Sequence, residues 1–116
     1  MNQVDFIAKL KFETKEQGVR HTAARSGYRP HIEFENYPEY LTSGSQNYIG
    51  QDIVAPGEIV NAEIVILGGE YFTRRLYKNM KFKFCEGPRT IGFGIITQII
   101  NTALITQPNI DINRST

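Results

Sequence analysis

Val4-Asp5-Phe6-Ile7-Ala8-Lys9-Leu10-Lys11-Phe12-Glu13 is the stretch that decides the fold class. Val4, Phe6, Ala8, Leu10 and Phe12 alternate with Asp5, Lys9, Lys11 and Glu13. Strand side chains point alternately to opposite faces, so a period of two buries one face and wets the other. The same beat returns downstream. Ile32 and Phe34 alternate with His31, Glu33 and Glu35, and Val60, Ala62, Ile64 and Ile66 with Asn61 and Glu63. Phe82 and Phe84 alternate with Lys81 and Lys83, and the run 90–100 is rich in β-branched residues. No segment carries a convincing apolar stripe at helical spacing. The expected core is Phe6, Leu10, Phe12, Phe34, Ile64, Ile66, Phe82, Phe84 and Ile95.

Turn chemistry separates these strands. Glu16-Gln17-Gly18 reads as a tight turn. Ala55-Pro56-Gly57 fits a type II turn, because Pro presets the first central angle and Gly supplies the positive one. Gly68-Gly69 ends a strand, and Thr42-Ser43-Gly44-Ser45 reads as a flexible loop of small polar residues. Five or six short strands so spaced make an all-β barrel or sandwich. The tail 101–116 is polar and expected to fray, with Ile110 and Ile112 available for a short edge strand.

At 116 residues the chain has the length of one domain. Its 41% hydrophobic and 22% charged residues are globular values. No apolar run approaches the roughly 20 residues that span a bilayer, and no secretory signal is evident. The single cysteine excludes an internal disulfide and fits a reducing compartment. A cytoplasmic location without membrane contact is the expectation.

The net charge of +1 hides three blocks. Residues 1–30 sum to +3, residues 31–70 to −7 and residues 71–116 to +5. Either oppositely charged strands pair across a sheet, at roughly 0.2–1 kcal/mol per pair, or the barrel has two faces, one of them suited to an anionic partner.

Residues with chemical potential are few. His31, Glu33 and Glu35 share one strand face, but same-face positions lie about 7 Å apart and a metal site needs convergence from another element. A solvated outer face is the expectation, with no metal, cofactor or catalytic residue assigned. Cys85 lies in no cysteine-enzyme motif. Gly92-Phe93-Gly94 lacks the third Gly and the following helix of a dinucleotide site and points to a close approach within a strand. No phosphate loop is present, so no nucleotide is expected to bind. Tyr71-Phe72-Thr73-Arg74-Arg75-Leu76-Tyr77-Lys78 interleaves aromatic and basic residues. It reads either as a loop whose aromatics close the barrel end or, with the rest of residues 71–83, as an RNA-binding patch.

Three further stretches carry a family resemblance. Gly18-Val19-Arg20-His21-Thr22, Ser26-Gly27-Tyr28-Arg29-Pro30-His31 and, far downstream, Glu86-Gly87-Pro88-Arg89-Thr90-Ile91-Gly92-Phe93-Gly94 stand in an order and local spacing similar to the C-terminal β-barrel, the third domain, of elongation factor Tu. The resemblance runs from about Phe6 to about Ile100. It implies a six-stranded antiparallel Greek-key β-barrel over residues 1–100, followed by the polar C-terminal tail 101–116. Arg20, His21, Thr22, Gly27, Tyr28, Arg29 and Pro30 then form a structural motif. Pro30 marks a strand start or edge, and Tyr28 lays its ring on the barrel with its hydroxyl at the rim.

In that family the third domain performs no chemistry. It docks on the GTPase domain, binds the nucleotide-exchange partner and touches tRNA. The tRNA-facing Arg-Glu-Gly segment reads Cys85-Glu86-Gly87 here, and an Arg shortly after a strand start is Glu35. Loss of positive charge weakens a phosphate contact directly. The resemblance therefore implies a stand-alone, non-enzymatic binding module that docks on a protein partner, with a translation factor as the candidate. Weak RNA or tRNA binding through residues 71–83 is the alternative. The partner-facing or RNA-facing candidates are His31, Arg74, Arg75, Lys78, Glu86, Gly87 and Arg89.

Overall fold

Residues 3–14 and 23–106 are described by the computed structural model. The expected turn at Glu16-Gln17-Gly18, the motif residues Arg20, His21 and Thr22, and the pair Ile110 and Ile112 lie outside them. The described residues form eight strands: β1 (Phe6–Phe12), β2 (Ala24–Arg25), β3 (His31–Phe34), β4 (Tyr37–Tyr48), β5 (Ile53–Val54), β6 (Ile59–Ile66), β7 (Lys81–Glu86) and β8 (Arg89–Ile99). Six close into a barrel in the order β1-β6-β4-β3-β7-β8, with β8 returning to β1 and every pairing antiparallel. The meander β3-β4-β6 with β1 laid beside β6 is a Greek key. Strands β2 and β5 form a small separate sheet that buries Ala24 and Val54.

The period of two explains the core. Phe6, Ala8, Leu10 and Phe12 of β1 all point inward and are 2% exposed or less. They meet Val60, Ala62, Ile64 and Ile66 of β6, Ile32 and Phe34 of β3, and Phe82 and Phe84 of β7. Ring centroids of Phe6 lie 6.2 Å from Phe34 and 5.8 Å from Phe82, and Phe12 lies 5.0 Å from Phe84, edge to face. Burial of each such ring contributes roughly 1.5–3 kcal/mol.

Room for so many rings comes from β8. Gly92 pairs with Phe84 and Gly94 with Phe82, and both glycines face inward. A Cβ at Gly94 would lie 2.2 Å from the Phe82 ring, and one at Gly92 2.3 Å from the Phe84 ring. The close approach read from Gly92-Phe93-Gly94 is therefore made by phenylalanine rings. It also corrects one expectation. Gly92, Gly94 and Ile96 occupy the inward positions, so Ile95 turns outward and is only half-buried. Register skips at Ile91 and Thr97 bring Ile91 and Ile96 into the core.

Thr42-Ser43-Gly44-Ser45 is a second correction. It lies inside β4, where Gly44 pairs with Ile66 and Ser45 with Val65. Gly44 faces inward, and a Cβ there would sit 2.4 Å from Ile32 Cδ1. The strand needs a bare residue at that point, and small polar composition misreads as a loop. The turn at Ala55-Pro56-Gly57 has the expected form: Gly57 has φ +87° and the Glu58 N–H donates to the Ala55 carbonyl at 3.1 Å.

One barrel end is closed by the connection between β6 and β7. Gly68 turns the chain at φ +66° into a 3-10 turn (Gly69–Phe72). Phe72, Leu76 and Met80 are buried, and Phe72 packs 5.1 Å from Phe34. Leu104, in a second 3-10 turn (Thr102–Leu104), joins them at 1% exposure. The Leu76 N–H donates to the Leu104 carbonyl and the Thr106 N–H to the Leu76 carbonyl, both at 2.8 Å. Asp5 fastens this end further: its Oδ2 accepts from the Ile66 N–H at 2.8 Å and its Oδ1 from Asn101 Nδ2 at 3.0 Å. Residues 101–106 are thus packed against the barrel, where fraying had been expected.

Candidate functional site

Four of the large apolar side chains exposed among the described residues gather beside the closed end of the barrel. β4 pairs with β3 at Phe34–Tyr37 and again at Ile32–Thr42, leaving Pro38, Glu39, Tyr40 and Leu41 with no register partner there. Pairing of β4 with β6 starts only at Gly44–Ile66. Pro38 has no N–H to give a ladder, which fits the interruption. Across the gap, the Leu67 N–H donates to the Ser43 carbonyl at 2.8 Å, and Thr42 Oγ1 donates to the Leu67 carbonyl. The left-handed Gly68 then swings Tyr71 to the same side.

The result is a groove of ≈ 550 Å³ with Tyr40, Leu41, Leu67 and Tyr71 among its walls, and Phe72 beneath. Tyr40 is 44%, Leu41 67%, Leu67 66% and Tyr71 72% exposed. Single exposed apolar residues are ordinary, whereas four large ones around one concavity make a contiguous apolar patch. The Arg75 guanidinium stands 5.4 Å from the ring centroids of both Tyr37 and Tyr40, which are 6.2 Å apart. Cation–π attraction of roughly 0.5–1 kcal/mol per exposed ring holds that wall in place.

The residues singled out from the sequence fall into two groups. Arg74, Arg75 and Lys78 belong to the β6–β7 connection. Arg74 has φ +61°, its N–H donates to the Ala103 carbonyl at 3.0 Å, and its carbonyl accepts from Thr106 Oγ1 at 3.1 Å. Its side chain and that of Lys78 are exposed. Glu86, Gly87 and Arg89 form the β7–β8 hairpin at the opposite end of β7, about 17 Å away at strand rise. Gly87 has φ +60° and is followed by Pro88, the requirement of a two-residue turn of type II′.

His31 stands between these groups. It pairs with Cys85 on one side and Ser43 on the other, and it lines the groove. Tyr28 has the form expected of it: a partly buried ring packed on the core, with its hydroxyl donating to Glu86 Oε2 at 2.5 Å. Pro30 immediately precedes β3, and its carbonyl accepts from the Gly44 N–H at 3.2 Å. Gly27 takes φ +99° in the turn before it, and Arg29 is exposed.

Leu41 and Leu67 carry no sequence expectation of a site, and Tyr40 enters only through the resemblance, which places a tRNA-touching Thr of the family near it. Leu67 ends an apolar run that reads as buried strand, and only the register shows that it overshoots β6. Glu33 pairs with Lys83 at 3.8 Å, as a solvated outer face predicts. Among the described residues no group of three or more His, Cys, Asp or Glu is placed to hold a metal ion. No helix among them is long and apolar enough to cross a membrane. No model of a known protein family matches the chain.

Proposed function

We propose that this barrel is a non-enzymatic binding module that docks a protein partner in the groove between Leu41 and Leu67. The observation that carries the reading is the cluster of Tyr40, Leu41, Leu67 and Tyr71, each 44% exposed or more around one concavity. The unpaired stretch at Pro38, Glu39, Tyr40 and Leu41 offers backbone groups as well as side chains, which suits an extended partner segment. Glu39 lines the groove and Glu70 lies exposed in the adjoining 3-10 turn, so apolar anchors flanked by basic residues are the complementary chemistry. The resemblance to the third domain of elongation factor Tu supplies the candidate partner, a cytoplasmic translation factor or its GTPase domain.

RNA binding by the patch 71–83 is the weaker reading, and its first part, residues 71–78, contributes little to it. Phe72 is buried, Tyr71 lines the groove and Arg75 is engaged by two tyrosines, which leaves Arg74 and Lys78 as exposed cations.

The test is affinity capture from the source cell with wild type, a Leu41→Ser/Leu67→Ser double variant and an Arg74→Ala/Arg75→Ala/Lys78→Ala triple variant, each with and without nuclease. Captured proteins are then purified and rebound in isolation. Both leucines are about two-thirds exposed, so the double variant keeps the fold. The proposal expects a protein that binds directly, survives nuclease and is lost only with the double variant. Equal recovery by wild type and double variant would overturn it.

A further inference from the structure

The order of strands around the barrel sorts its charge. β7, β8 and β1 are consecutive neighbours, and β6, β4 and β3 make up the other half. The first half carries Lys81, Lys83, Lys9 and Lys11 on its outer face; the second carries Glu63, Glu39 and Glu33. The three charge blocks of the sequence thus become two faces, and Lys83 meets Glu33 at the seam, 3.8 Å apart. Lys9, Lys11 and Lys81 are exposed and form no ion pair among the described residues.

The register puts the basic residues in a definite pattern. Ile95 of β8 lies between Lys9 and Lys81, and Phe93 lies between Lys11 and Lys83. Phe93 is 50% exposed. Two shallow hollows, of ≈ 290 Å³ and ≈ 230 Å³, flank it and share Lys81, Phe82 and Phe93. Lysines on neighbouring rungs of one strand are about 7 Å apart, and those across Phe93 roughly 10 Å. The smaller hollow is bounded on its β3 side by Glu33 and Glu35, so the basic path runs past Phe93 on the side of Lys9, Lys11 and Lys81. An aromatic ring left half in water beside a row of cations is the arrangement that holds a phosphate backbone while a base stacks.

We propose that this face binds single-stranded nucleic acid, with phosphates along the row of lysines and one base stacked on Phe93. On β1, β8 and β7 the outer positions of these two rungs are Lys, Ile and Phe, and Asn61 beside Lys9 is the one amide on them, so binding depends little on sequence. A duplex hides its base faces within the stack and binds less well. The inference does not depend on the groove, which is built from β4 and the β6–β7 connection on other parts of the barrel.

The experiment is fluorescence anisotropy with a labelled oligouridylate of about 12 nucleotides, within the site sizes known for single-strand binders. A log–log salt slope of about −2 to −3 is expected, since each neutralised phosphate contributes about 0.7 in single strands and three or four lysines act. Phe93→Ala should weaken binding roughly 5- to 100-fold, and Phe93→Tyr should restore it. Lys9→Ala/Lys11→Ala should roughly halve the slope. The Arg74→Ala/Arg75→Ala/Lys78→Ala variant should bind as wild type does. Circular dichroism confirms that each variant is folded. Absence of binding at low salt overturns the proposal. So does Phe93→Ala binding like wild type, or displacement by polyglutamate or duplex as efficient as by the unlabelled oligomer.

Discussion

Replacing Gly94 by alanine should test how the barrel accommodates its phenylalanine rings. The new Cβ would lie 2.2, 2.6 and 2.7 Å from Cζ, Cε2 and Cε1 of Phe82. Gly94 does not have positive φ, so the backbone itself accepts alanine and the effect is steric. The ring cannot swing aside, because Phe6 and Phe34 pack against it with centroids 5.8 and 5.7 Å away. Overpacking of this kind costs about 2–3 kcal/mol. Leucine lacks the three colliding ring carbons, and Phe82→Leu alone should cost about 1–2 kcal/mol. In the double variant the collision disappears, so the two losses should fall short of additivity by about 1–2 kcal/mol. Gly92→Ala provides the contrast. Its Cβ would stand 2.5 Å from the Lys11 carbonyl oxygen as well as against the Phe84 ring. Phe84→Leu removes the ring contact and leaves the backbone collision, so rescue should be incomplete. Urea unfolding followed by circular dichroism measures all six variants. Additivity within about 0.5 kcal/mol at Gly94, or equal rescue at both glycines, would refute the packing argument.

Three further outcomes follow from the structure. Asp5→Ala strands the Ile66 N–H and Asn101 Nδ2, and should cost about 2–4 kcal/mol in urea unfolding; a loss under 1 kcal/mol would show the latch to be unimportant. Gln46 is fully buried, its Oε1 accepts from the Tyr48 hydroxyl at 2.8 Å and its Nε2 has no partner among the described residues, so Gln46→Met should leave stability within about 1 kcal/mol of wild type or raise it. A loss above about 2 kcal/mol would mean that the amide nitrogen is bonded after all, for instance to a buried water. Cys85 is only half-buried beside His31, so Cys85→Arg places a cation where the resemblance expects one and should strengthen weak tRNA binding. Gel-shift titration at physiological salt checks this, and unchanged binding would argue against a tRNA-facing surface there.

Parts of this architecture were plain in the chain and parts were not. β1 announces itself because every second residue from Phe6 to Phe12 is apolar and every one is buried. β4 does not, because its inward positions are Gly44, Gln46 and Tyr48, the first kept bare by the Ile32 side chain pressing on it. Ile95 misleads for a related reason. Two register skips and two inward glycines give β8 a phase that its β-branched composition does not reveal. The charge blocks were visible, but whether they pair or segregate depends on strand order, which places β7, β8 and β1 side by side. Leu41 and Leu67 carry no signal in sequence, and Tyr71 reads there only as part of the aromatic and basic stretch 71–78. Their exposure follows from an interrupted ladder and a left-handed glycine, both set by three-dimensional register.

Site-specific photocrosslinking in the source cell tests the central claim most directly. A photoreactive phenylalanine analogue is placed at Tyr71 in the groove, and at Ile53 on the small sheet β2–β5, which is 42% exposed. The account predicts a discrete protein adduct from Tyr71, abolished by Leu41→Ser/Leu67→Ser, and none from Ile53. Adducts of equal yield and identity from both positions, or no adduct from Tyr71, would contradict it.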